Sequence, residues 1–129
     1  MTISGVIAGI VTRLNTISGL RVYPQVPGAS TLETPCVWAF RSGQIEADTF
    51  DGVPDDEYAI VVCVAGNSYE QGQTDLYAYL DAAGSSSIRA AIEADRSLDG
   101  AAHGVFVLPE RNLDFANGIF SAEVPLHVY

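Results

Sequence analysis

Tyr58-Ala59-Ile60-Val61-Val62-Cys63-Val64-Ala65 is the stretch on which the fold turns. Every residue in it is apolar or aromatic, β-branched side chains are frequent, and it is far too short for a membrane-crossing helix. Apolar side chains on both sides of a period-2 pleat predict a central strand covered on both faces.

Working outward, the residues after Gly118 alternate more cleanly than any others. Phe120, Ala122, Val124, Leu126 and Val128 point one way, while Ser121, Glu123, Pro125, His127 and Tyr129 point the other. One face of this strand is therefore expected to be wet or at an interface. Pro125 cannot donate to a ladder, which predicts an edge position or a bulge. Upstream, residues 36–45 place Cys36, Trp38 and Phe40 on one side and reach a bend or bulge at Ser42-Gly43. Residues 20–23 and 103–108 read as shorter strands, residues 24–35 as a proline-rich loop, and residues 109–117 as a polar connection.

The helices show a different period. Ile3, Val6, Ile7, Ile10, Val11, Leu14 and Ile17 follow the spacing of one helical face, with Thr2 as a cap and Gly19 as a stop. Leu76, Tyr79, Leu80 and Ala83 form a second stripe, and Ile88, Ala91, Ile92 and Leu98 a third. Between the last two lies Gly84-Ser85-Ser86-Ser87, where Ser86 or Ser87 can cap the later segment, and Asp99-Gly100 supplies its stop. Tyr77 and Tyr79, two apart on a helix, face different directions, so one can enter the core while the other is available to a partner. Together these elements predict an α/β (α+β) fold. A mainly antiparallel sheet of four to five strands carries the N-terminal helix and a middle helical pair. At 129 residues the whole chain, 1–129, is read as a single domain.

Composition narrows the function. Hydrophobic residues make up 48% of the chain and charged residues 17%, the balance of a packed globule. Sixteen acidic residues against six arginines, with no lysine, give a net charge of -10. Such a surface repels phosphate, so tight nucleic-acid binding and docking on anionic membrane are not expected. Cys36 and Cys63 sit in apolar runs that read as neighbouring strands, where free buried thiols are expected. The start of the chain lacks the basic segment and continuous apolar run of a signal peptide, so secretion is not indicated.

Six carboxylates fall within residues 46–57: Glu46, Asp48, Asp51, Asp55, Asp56 and Glu57. With Phe50, Gly52 and Pro54 between them, they read as a hairpin tip or projecting loop. The residue order of a calcium loop is missing, so no metal is expected there. Nucleotide-binding glycine motifs, a phosphate-binding loop and a nucleophile elbow are likewise missing, and no cofactor is expected. His127 fits as a polar residue on the exposed side of the last strand. His103 reads as a strand-entry residue, with a general base beside a carboxylate such as Asp99 as the alternative. Asp95, Arg96 and Asp99 read as a helix-end charge group.

A more specific signal is spread over the chain. It includes Leu80-Asp81-Ala82-Ala83-Gly84, Ser87-Ile88-Arg89-Ala90-Ala91-Ile92-Glu93-Ala94-Asp95, Leu98-Asp99-Gly100 and Ala122-Glu123-Val124-Pro125-Leu126-His127-Val128-Tyr129. Together with Ile10-Val11-Thr12-Arg13-Leu14, Ile17-Ser18-Gly19-Leu20-Arg21-Val22-Tyr23 and Pro35-Cys36-Val37-Trp38, these resemble the tail terminator (tail completion) proteins of long-tailed bacteriophages. Asp99 stands where related sequences often have a glycine, and Arg96 where many have a proline.

The resemblance implies a non-enzymatic virion protein at the head-proximal end of the tail, assembled in the host cytoplasm. It implies a ring, a hexamer in expectation, seated on the last ring of the tail tube protein. That ring would stop polymerisation and offer its far side to a head-completion or neck protein. DNA would pass its lumen without specific binding, helped by the acidic charge. Glu46, Asp48, Phe50, Asp51, Asp55 and Asp56 are then the expected contact with tube or neck, Phe50 being the apolar anchor. Three alternatives stay open: a head-tail connector or neck adaptor, a small α/β enzyme using His103 with a carboxylate, and a host-derived binding domain with no virion role that stays monomeric in solution.

Overall fold

The computed structural model describes residues 2–28, 32–45, 55–66, 68–116 and 118–129. Its elements run α1 (Ile3–Leu14), β1 (Arg21–Val22), β2 (Cys36–Ile45), β3 (Asp55–Ala65), α2 (Tyr69–Leu80), α3 (Ile88–Glu93), β4 (Val105–Val107), β5 (Arg111–Ala116) and β6 (Ile119–Val128). The sheet order is β1-β2-β3-β6-β4, with β5 also paired to β6. Only the β1–β2 pairing is parallel among those described, and the expected α+β architecture is the one observed.

The apolar run Tyr58–Ala65 is central, since β3 pairs with β2 on one side and with β6 on the other. Its two faces differ in what covers them. Tyr58, Ile60, Val62 and Val64 enter one core with Val6, Ile10 and Leu14 of α1, Leu76 of α2, and Ile88 and Ile92 of α3. The three described helices thus lie on one face, so helices supply the cover on that side alone. On the other face Ala59 and Cys63 are still buried. They are small residues placed in register with Phe40 and Pro125, and with Cys36 and Ser121.

Local chemistry explains the helix limits. The Thr2 side chain accepts from the Gly5 N–H and opens α1, and Ser68 and Ser87 do the same for α2 and α3 through Gln71 and Ala90. Ser87, almost fully buried, also donates to the Asp81 carbonyl and so ties the end of α2 to the start of α3. Helix α3 ends earlier than its stripe suggests. Leu98 reaches the core from a turn in which Leu98 and Asp99 have φ of 50° and 60°. Asp95 holds that turn by accepting from the N–H groups of Ser97 and Asp99 and from the Ser97 hydroxyl. Gly9 makes room for it, because a Cβ there would collide with the Leu98 carbonyl oxygen.

Three further expectations are revised. Residues 109–117 were expected as a polar connection, yet Arg111–Ala116 forms β5, because β6 is long enough to pair there beyond the end of β4. Among the described residues the sheet therefore has six strands, one beyond the four to five expected. Asp55, Asp56 and Glu57, expected in a projecting loop, extend β3 against Gln44 and Ile45 of β2, and against Val128 and His127 of β6. Backbone pairing on two sides outweighs their acidity. Pro125, expected at an edge or bulge, lies inside the sheet opposite Ala59. Its carbonyl accepts from the Leu108 N–H, so the side lacking a donor faces the break between β4 and β5, where no ladder bond is lost. The bulge expected at Ser42-Gly43 is present, as a register shift between Arg41 and Gly43.

Candidate functional site

Of the residues expected to contact partners, Glu46, Asp48, Phe50 and Asp51 lie outside the described residues. The backbone of Asp55 is paired in β3. Asp56 accepts from the Arg41 guanidinium at 3.1 Å, so this carboxylate is already occupied within the chain. Its neighbour Glu57 belongs to a larger polar group on the helix-free face of the sheet. Arg111 Nη2 donates to Glu57 Oε1 at 2.6 Å and Arg111 Nε to Glu123 Oε2 at 3.3 Å, while the Ser42 hydroxyl and the Asn112 amide complete the set. The Arg111 hydrogen bond holds the Glu57 carboxyl below the usual carboxylate range, with Ser42 adding to the effect.

On the same helix-free face Phe106 stacks on Tyr129 at 5.4 Å between ring centres, and His127 meets both rings edge-on. Phe106 is 48% exposed. Cys36 and Cys63 face each other across β2 and β3 as buried free thiols, as expected. The hydrogen bond to Cys63, together with burial, pushes the Cys36 thiol up.

A second exposed apolar surface lies at the β5 edge of the sheet. Tyr69 at the start of α2 packs its ring 4.5 Å from Phe115 of β5, and Phe115 in turn lies 4.2 Å from Phe120. Helix α2 can approach this closely because Gly72 sits over the Phe120 ring, where a Cβ would clash. Between α2 and β5 runs a groove of about 210 Å³ lined by Gln73, Leu76, Tyr77, Leu113, Asp114, Phe115 and Phe120. Tyr77 and Leu113 are about half exposed, whereas Tyr79 packs against the core, the division expected of that tyrosine pair. Sequence reading missed Leu113 and Phe115. Their period-2 spacing was the available signal, masked by the polar residues around them.

Two other hollows have a different character. One of about 370 Å³ is lined by Thr34, Pro35, Val64, Ala65, Asp75, Ala78, Tyr79 and Ser86. Another, about 400 Å³, is lined by His103 with Thr2, Gly5, Gly100, Ala101 and Ala102. His103 is exposed, and its backbone N–H donates to the Tyr129 carbonyl. Asp99 is exposed on the turn organised by Asp95. Among the described residues no group of three or more histidine, cysteine or carboxylate side chains is placed to hold a metal ion. No described helix is long and apolar enough to cross a membrane.

In comparisons with known proteins, neither a family model nor a curated protein matches the sequence.

Proposed function

We propose that this chain is a structural virion protein that caps the phage tail tube as a ring, ends tube polymerisation and presents a surface for head attachment. The observation that carries this reading is the placement of large apolar side chains on the outside of a strongly acidic domain. Tyr69, Tyr77, Leu113 and Phe115 line one edge, and Phe106 and Tyr129 mark the helix-free face. Clustered exposed aromatics mark protein–protein contact, and an acidic surface disfavours phosphate polymers as the partner. The sequence resemblance adds the kind of assembly, with itself, the tail tube protein and a head-completion protein as partners.

Deleting the gene from the phage that carries it tests this reading. Loss of a terminator gives overlong tail tubes in lysates viewed by electron microscopy. Tails of normal length beside separate heads would instead assign the chain to a connector on the other side of the joint.

A further inference from the structure

We propose that the groove between α2 and β5 receives helix α1 of a second copy of this chain, a contact that deepens the ring reading and rests on it. The two surfaces lie at opposite edges of the sheet. Helix α1 packs over β2, and its Gly9 and Arg13 flank is turned toward α3, where Arg13 Nε donates to the Ala91 carbonyl. At 100° per residue, Ile3, Ile7 and Val11 fall outside the Gly9 and Arg13 flank, with Ile7 also packed in part against the chain's own core. Ile3 is 47% exposed, and Ile7 and Val11 are partly so. The groove, with Tyr77, Leu113 and Phe115, lies at the β5 edge.

Charge selects the occupant. The chain has sixteen acidic residues, and any carboxylate-bearing surface of a second copy is repelled by Asp114 on the wall of the groove. Helix α1 has no acidic residue anywhere between Ile3 and Leu14. It therefore presents an apolar i, i+4, i+8 row without like charge, the pattern by which a helix seats in a groove. Because donor and acceptor surfaces differ and lie on opposite edges, the contact is heterologous. Such a contact makes a ring when its rotation closes and an open filament when it does not, and the ring reading requires closure.

The test mixes two full-length variants, Ile7→Cys and Leu113→Cys, at high concentration with a short bismaleimide. The native thiols are buried, and unmodified chain serves as the control. The expected result is a cross-linked dimer in the mixture and none with either variant alone. Tyr77→Asp, at an exposed position, should weaken self-association by about tenfold or more in sedimentation while leaving the circular dichroism spectrum unchanged. Oligomers that form without the mixed cross-link, or a Tyr77→Asp chain that associates normally, overturn this contact and leave the ring reading standing. A chain monomeric at every concentration, with no cross-link, overturns the contact in solution. The ring reading is judged separately, by tube length.

Discussion

Arg111 of β5 reaches across the outer face of β6 to Glu57 of β3, closing on its Oε1 at 2.6 Å while keeping Glu123 of β6 at 3.3 Å. One guanidinium thereby links three strands, including β5, whose sequence alone predicts a polar connection. The arginine side chain remains 41% exposed, so its contribution is that of a screened surface network.

Arg111→Ala should therefore destabilise the chain by about 0.5–1 kcal/mol at low salt, and by less at high salt, in urea unfolding. The pH dependence has a definite sign. Glu57 binds its proton less tightly in the folded chain than in the unfolded one, so its contribution is present at neutral pH. It is lost as acid protonates Glu57 below the usual carboxylate range. Glu57→Gln should melt lower than the parent at pH 7 and converge with it in strong acid. A gap that persists unchanged in acid would contradict the assignment.

Gly9→Ala tests the contact between α1 and the turn at Leu98. In an exposed helix interior this change gains about 1 kcal/mol. Here the new methyl meets a backbone carbonyl that the Asp95 turn holds in place, and overpacking costs about 1–3 kcal/mol. A net loss of stability is expected from the urea midpoint, and a gain would show that the turn yields freely.

Cys36 and Cys63 should behave as unreactive thiols. Their exposures of 0% and 4% keep reagents out of both sites, and the upward push keeps Cys36 protonated, while the same hydrogen bond draws the Cys63 thiol down. An aromatic disulfide reagent should label the native chain only slowly and release two equivalents in denaturant. Rapid native labelling would contradict this burial.

The acidic segment before β3 yields a prediction from sequence alone. Replacing Phe50 by serine together with Asp51 by asparagine should lower the number of joined heads and tails in lysates. Normal virion yield would remove this segment from the joint.

How far the sequence reached depended on whether one local rule acted alone. The spacing from Ile3 to Leu14, the run from Tyr58 to Ala65 and the alternation from Phe120 to Val128 each had one dominant period, and each element formed there. Of the two serines able to cap α3, Ser86 and Ser87, it is Ser87 that takes that role. Where two rules competed, tertiary pairing decided. Asp55 to Glu57 carry loop-like charge, but Asp56 and Glu57 find ladder partners on both sides and Asp55 finds one in β2. Leu113 and Phe115 stand among polar residues, and Asn112 adopts a φ of 56° at a register shift, so no clean alternation survives to mark β5. The aromatic groove was illegible for the same reason: it needs α2 and β5 side by side, a relation that no local pattern encodes.

Immunogold labelling of purified virions tests the central claim most directly. A ring that ends the tail tube predicts one cluster of label at the head-proximal end of each tail and none along the tube. Virions without label, despite abundant chain elsewhere in the lysate, would contradict the assignment.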